Sequence, residues 1–367
     1  MPAAPPAAPP PFSVAQVRAA VPAHCFERSA LRSFGYLFAD FLGIAALGLA
    51  AYYGIHTAPL PTWAKVLLWA VYIYAQGCVM TGVWVVAHEC GHQAFSSSKA
   101  LNNAVGLVCH SAVLVPYHSW RITHAAHHKN TNSMENDEVF VPATKSEIGV
   151  PGMASDSPLV NLFGMFNMLL FGWPLYLTLN VAGPAKYRGK ANSHFNPRAA
   201  LFAPSQVASI WLSDAGLIVA LGAIAYCVSV FGAANVALYY GLPYLVVNAH
   251  LVLITYLQHT AEYIPHYREG EFTWLRGALC TVDRSFGPVL NALFHHISDT
   301  HVAHHLFHTM PHYHAEEATA ALQKFLGPYY LKDDTPIPAA LYRSWSQCRY
   351  VDDEGDVLHW RSFSKTD

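Results

Sequence analysis

Four stretches of this chain, about residues 34–55, 66–87, 207–231 and 236–257, are mostly apolar and almost uncharged. Crossing about 30 Å of hydrocarbon takes roughly 20 such residues in a helix. HTAPLPTWAK joins the first two stretches and GAAN the last two, so they read as two tight helical hairpins. Asp40 and Asp214 fall near the starts of their spans and are expected among lipid headgroups. The composition agrees: charged residues are 12%, against about 25% in a typical soluble domain. A net charge of −2 leaves no electrostatic footprint for nucleic acid.

A fifth segment complicates the count. PLVNLFGMFNMLLFGWPLYLTLN, 158–180, is also long and uncharged. Lys129 and Lys145 precede it, and Lys186, Arg188 and Lys190 follow it. Positive charge collects on the cytoplasmic side of a membrane, so both flanks are expected there. The segment is therefore read as lying in the interface or against the protein. NAVGLVCHSAVLV, 103–115, is too short to span. The expected fold is an all-α integral membrane protein with four transmembrane helices in two hairpins. A cytosolic helical cap and cytosolic termini complete it. Residues 1–33 form a cytosolic lead, 34–331 the membrane domain and 332–367 a cytosolic tail. The opening MPAAPPAAPPPF has neither the basic start nor the apolar core of a signal peptide; it is read as a short disordered lead. Seven cysteines without a CxxC pair read as reduced thiols.

Histidine is the other unusual feature, with 22 in the chain. HECGH places His88 and His92 four residues apart, on one face of a helix just past the second span. HAAHH holds His124, His127 and His128, and HVAHH repeats the spacing at His301, His304 and His305. Two HxxHH runs arise by chance on the order of a few times in a thousand. Eight imidazoles exceed the three protein ligands of a catalytic zinc and suit two ions. Imidazole accepts iron, copper, nickel or zinc, so the ligands alone do not choose the metal. His259, at the cytoplasmic end of the fourth span, is taken as a ninth ligand. Glu89, His295, His296 and Asp299 are expected as outer hydrogen-bond partners, as are Asp137 and Glu138. His312 and His314 are placed at the rim, His56 in a solvated turn and His250 in the core. His24, His110, His118, His194, His266, His308 and His359 are read as structural. HECGH also fits the H-E-x-x-H zinc-protease pattern, and a metal carrier is a third possibility; its ligands would be wanted at the bilayer midplane.

In their order along the chain, H-E-C-G-H, H-x-x-H-H and H-x-x-H-H resemble the membrane fatty-acid desaturases. Longer runs, among them AHECGHQAFS, VPYHSWRITHAAHHKNTNSMENDEVFVP and HISDTHVAHHLFHTMPHYHAEEAT, resemble the microsomal oleate Δ12 branch, over roughly residues 11–331. Omega-3 relatives commonly carry aspartate where this chain has Glu89. His296 stands where the branch commonly has asparagine, and the ending RSFSKTD lacks an aromatic-rich retrieval signal. The resemblance implies a site of two non-haem iron ions held by the nine histidines, O2 as co-substrate, and dehydrogenation of an oleoyl to a linoleoyl group. It implies cytochrome b5 and NADH-cytochrome b5 reductase as electron donors, in the endoplasmic reticulum membrane. No His-Pro pair occurs, so a separate donor protein is expected rather than a fused haem domain. An omega-3 (Δ15) desaturase, a hydroxylase or an acetylenase would use the same scaffold. The acyl-lipid substrate has no polar handle at the reacting carbons, so its position is expected to be set by an apolar tunnel between spans and cap.

Overall fold

The computed structural model describes residues 4–6, 8–149 and 157–363, so Met1–Ala3 and Ala7 of the proline-rich lead and the last four residues of the tail lie outside the described residues. The short helix α1 (Val14–Ala20) is closed by a capping box between Ser13 and Gln16. Ser29 caps α2 (Ala30–Ala51), which continues through one π turn to His56. Pro61 precedes α3 (Thr62–Gly91). Next come α4 (Lys99–Ala112), capped by Ser98, and α5 (Tyr117–Asn130), bent by 107° from it. The single turn α6 (Lys145–Ile148) precedes α7 (Pro158–Leu179). Gly232, at φ 83°, separates α8 (Val207–Phe231) from α9 (Ala233–Val236), whose line continues through a π turn into α10 (Leu242–His259). The cap is built from short pieces: α11 (Trp274–Ala278), α12 (Pro288–Leu293), α13 (His301–Leu306), α14 (Ala315–Leu326) and α15 (Ile337–Gln347).

Each of the four expected apolar stretches forms a long helix; α2 packs along α3, whereas α8 packs on α4 and α5 rather than along α10. The described residues hold five helices long and apolar enough to cross a membrane, not four, because α7 passes the same test. Its Leu159, Phe163 and Phe166 are exposed, while Met165, Trp173 and Leu177 turn inward. The bent pair α4–α5 also passes when its two helices are taken together. The chain is not purely helical: β1 (Pro265–Tyr267) pairs antiparallel with β2 (Val357–His359), Pro265 opposite His359.

At the centre, α3 packs against α2, α4 and α10, and α7 lies along α10. The packing is close enough that a Cβ on Gly77 would sit 2.4 Å from Val246 Cβ, so a small residue is what lets α3 meet α10. From Gln76 to Cys90 every residue of α3 is buried, and Trp84, Trp120, Trp173 and Leu251 share the main apolar cluster. The C-terminal segment is not a loose tail. It places α15 against α7 and α10, and hydrogen-bonds Lys145 to Val351. The described part of the lead is docked as well: Phe12 meets Phe325 and Tyr329 edge-on, and the Tyr329 hydroxyl donates to Ala8 O at 3.3 Å. Apolar and aromatic groups beside the prolines hold it, which a composition-based reading of disorder does not weigh.

Asp40 is not at a helix end. It lies well inside α2, buried, and its carboxylate meets His295 Nε2 at 2.8 Å. His295 and His296 both have left-handed backbones (φ 50° and 62°) in the turn entering α13. Such a pair of non-glycine residues is strained and needs anchors. His295 has Asp40, and His296 has Asp299 at 3.2 Å and Glu316 at 3.4 Å.

Candidate metal centre

Four helices deliver histidines to one place, most of them near a helix C-terminus. His88 lies in the last turn of α3 with His92 as the next residue past it, His127 and His128 close α5, His259 ends α10, and His304 and His305 close α13. Helix C-termini carry partial negative charge and favour cations. The i, i+3, i+4 spacing turns His124, His127 and His128 to one side of α5, and His301, His304 and His305 to one side of α13.

The imidazoles form two adjoining groups. In the first, ligand atoms of His88, His92, His124, His128 and His304 lie within 4.8 Å of one another; in the second, those of His127, His259 and His305 do. His301 joins the second through His259, Nε2 to Nε2 at 3.1 Å. Other Nε2 pairs are His88–His124 at 3.0 Å, His92–His88 at 3.2 Å, His128–His124 at 3.1 Å and His127–His259 at 3.4 Å. With metal–nitrogen bonds of about 2.0–2.1 Å, two imidazoles on one ion stand roughly 3.0–3.4 Å apart. The observed separations fall in that range.

Burial first, then neighbouring imidazoles, holds His124, His128, His301, His304 and His305 well below the usual imidazole range. Neutral rings with converging lone pairs suit a cation. Two outward nitrogens meet partners that fix ring orientation: His127 Nδ1 sits 2.6 Å from Asp137 Oδ1, and His305 Nδ1 3.2 Å from Thr131 Oγ1. Asp137 is itself aimed by the backbone N–H groups of Asn132 and Glu138. Glu89 Oε1 is 3.3 Å from His88 Nδ1 and 3.9 Å from His304 Nδ1, and Oε2 accepts from His312 N–H.

All nine residues expected as ligands thus meet, and Glu89 and Asp137 stand behind them. Four expected outer partners do not. His295 pairs with Asp40; His296 and Asp299 pair with each other, and Asp299 also accepts from Asn291. Glu138 accepts from Lys186 and Tyr187. Sequence proximity to a histidine box placed them near the centre, but the turn before α13 and the loop after α5 direct them elsewhere. His308, read as structural, packs its ring 5.1 Å from His92 and 5.5 Å from His128. Its position four residues after His304, the same spacing as His88 to His92, was the available signal. His312 packs between Tyr36 and His295.

A cavity of about 320 Å³ opens onto both groups. His88, His124, His127, His259 and His301 form its floor; the rest is mostly apolar, with Trp84, Met168, Trp173, Leu251 and Val252 among its walls. Trp120 stacks on His124 at 4.3 Å between centroids. Long apolar helices and a histidine-rich centre facing an apolar cavity define a membrane protein with a metal-type site turned toward a greasy ligand.

Comparison with known proteins sharpens that class. Residues 61–336 match the family model described as "Fatty acid desaturase", and residues 2–51 match a domain of unknown function. A protein named Delta(12) fatty acid desaturase from Mortierella isabellina is 48% identical over 368 residues, covering 96% of this chain and 91% of that one. Delta(12)-fatty-acid desaturase from Arabidopsis thaliana is 48% identical over 357 residues, with the same coverage. A Delta(12) acyl-lipid conjugase (11E,13E-forming) from Momordica charantia is 45% identical, covering 97% and 89%. This chain belongs to the fatty acid desaturase family, and is an oxidoreductase of lipid metabolism.

Proposed function

We propose that the chain is a Δ12 acyl-lipid desaturase that converts oleoyl to linoleoyl groups. The observation that carries the reading is the apolar cavity whose floor is made by imidazoles from both histidine groups. Relatives named Δ12 desaturases, at 48% identity across nearly the whole chain, support the regiochemistry.

His88, His92, His124, His128 and His304 would hold one non-haem iron, and His127, His259, His301 and His305 the other. Bound there, the pair of ions supplies O2 activation and the oxidising power to remove two hydrogens from neighbouring carbons. Overall, an oleoyl group, O2, two electrons and two protons give a linoleoyl group and two waters. What the protein contributes is placement. Trp173, Met168, Leu251 and Val252 surround an apolar chain and exclude water, and the cavity's shape fixes which methylene pair faces the floor. Asp137 holds His127 through Nδ1, leaving Nε2 toward the centre, and the buried Glu89 carboxylate stands 3.3 Å from His88 Nδ1. Cytochrome b5 and its NADH-dependent reductase are the proposed donors, and the endoplasmic reticulum membrane the proposed location.

Four complete crossings, with termini and histidines on the cytosolic side, are part of this reading. The support is that histidines before and after α7, α8 and α10 share one centre. Three full crossings between them would divide it, so α7 is assigned to the membrane surface or the protein's flank. A zinc protease built on HECGH is disfavoured because His88 and His92 do not stand alone: they share one group with His124, His128 and His304, more imidazoles than a catalytic zinc takes.

Expression in a yeast without linoleate, followed by fatty-acid analysis, tests the proposal. Linoleate is the expected new product. Accumulated protein with no linoleate would overturn the Δ12 assignment, and a conjugated, hydroxylated or acetylenic product would name the variant chemistry.

A further inference from the structure

Outside the nine-histidine centre, one more set of metal-ligating side chains converges among the described residues. Donor atoms of His24, Cys25, His314 and Glu317 lie within 4.8 Å of one another. His24 and Cys25 come from a single 3₁₀ turn, Ala23–Phe26, that follows α1. His314 and Glu317 come from the start of α14, three positions apart and therefore on one face. The two segments are brought together from positions 293 residues apart.

The donor atoms stand close to the edges of a four-ligand shell. Cys25 Sγ lies 3.8 Å from His24 Nε2; a tetrahedral zinc with Zn–S of ~2.3 Å and Zn–N of ~2.05 Å sets that edge at about 3.6 Å. His24 Nε2 is 2.9 Å from Glu317 Oε2, so this edge opens by roughly half an ångström to admit an ion at ordinary bond lengths. The rings of His24 and His314 are 5.6 Å apart between centroids. One sulfur, two imidazole nitrogens and a carboxylate oxygen suit zinc; magnesium and calcium want oxygen alone. Access also fits. The sulfur of Cys25 is sunk in an apolar cluster with Val17, Val21, Ala318 and Leu322, while His24 and Glu317 are about half exposed and open the site to solvent.

We propose that His24, Cys25, His314 and Glu317 bind a structural zinc ion that pins the N-terminal segment to α14. Four protein ligands close the shell, which is the pattern of structural rather than catalytic zinc. Binding exchanges the thiol proton, released to solvent, for a zinc–sulfur bond, and each imidazole binds through a nitrogen free of its proton. Helix α14 packs on α13, which carries His301, His304 and His305, so the clamp would brace the helix that completes the main centre.

Cobalt(II) is the probe, because thiolate-bound cobalt has a charge-transfer absorption and the main centre contains no cysteine. Full-length protein purified in detergent should show that band rising to saturation at one thiolate-bound ion per chain, and zinc should displace it. Cys25→Ser should abolish the band, and Glu317→Gln should weaken cobalt binding by about tenfold or more, the scale of losing one anchoring group at a metal site. No thiolate band in the unmodified protein, or a band that survives in Cys25→Ser, overturns the site. Should Cys25→Ser not fold, His24→Gln decides: weakened cobalt binding supports the assignment and unchanged binding overturns it.

Discussion

At Arg284 a guanidinium with no solvent exposure donates from Nη1 to Asp333 at 2.6 Å and from Nε to Leu257 O at 2.8 Å, while Arg343 reaches the same carboxylate. At His88, by contrast, Nε2 faces the Nε2 atoms of His124 and His92, groups of its own kind. Both clusters are buried and polar, and both join distant parts of the chain. In the first, donors meet acceptors and the site is complete in itself. In the second, ring nitrogens of one kind face one another, an arrangement that suits a cation between them. Self-satisfied buried charge holds a fold; convergent unsatisfied donors hold a ligand.

The contrast makes opposite forecasts for substitution. Alanine at any one of His88, His92, His124, His127, His128, His259, His301, His304 or His305 should take linoleate formation below detection, while the protein still inserts and unfolds at an unchanged temperature. If several such variants stay active, the centre is misassigned; if they lose folded protein, the nitrogens are structural after all. Asp333→Ala should do the reverse damage, lowering stability by about 3–5 kcal/mol by stranding a buried guanidinium. Thermal unfolding in detergent checks this, and a shift near zero would show that Arg284 is not dependent on its partner.

A smaller effect is expected one layer out. Asp137→Asn keeps the shape but weakens the bond that orients His127, and should lower metal retention about 10–100-fold. Dialysis against a chelator, followed by metal analysis, measures it. The smallest effect is one of pH. Burial raises the Asp333 carboxyl, but bonds from Thr335 and the guanidiniums of Arg284 and Arg343 outweigh it and hold the group well below the usual carboxylate range. A depressed pKa gives stability that is present above the unfolded value of 3.8 and lost as pH falls through the folded one. The stability gap between the unmodified protein and Asp333→Asn should therefore be constant near neutrality and narrow below about pH 4. A gap independent of acid would remove this role for the pair.

How far these two clusters could be read from sequence differs for a physical reason. The histidine centre was legible because each helix contributes a short local pattern, and the i, i+3, i+4 spacings of His124–His128 and His301–His305 state which side chains share a face. His259 was reachable because it ends an apolar span. The Arg284–Asp333–Arg343 cluster was not legible, since no local period links those positions. Asp40 and His295, 255 residues apart, were missed for the same reason, and each was misplaced by a local rule: helix-end solvation for Asp40, nearness to a box for His295. Hydropathy picked out α2, α3, α8 and α10, and it picks out α7 by the same test; length and apolarity do not tell a helix that crosses from one that lies along a neighbour. The docking of α15 and β2 depends on contacts with α7, α10 and β1 that composition does not encode.

The most direct test is iron content per chain, measured on the purified unmodified protein and on His127→Ala and His304→Ala. The account predicts about two iron ions per chain, falling toward one in each variant because each removes a ligand from a different group. A single ion in the unmodified protein, or iron content indifferent to both substitutions, would contradict it.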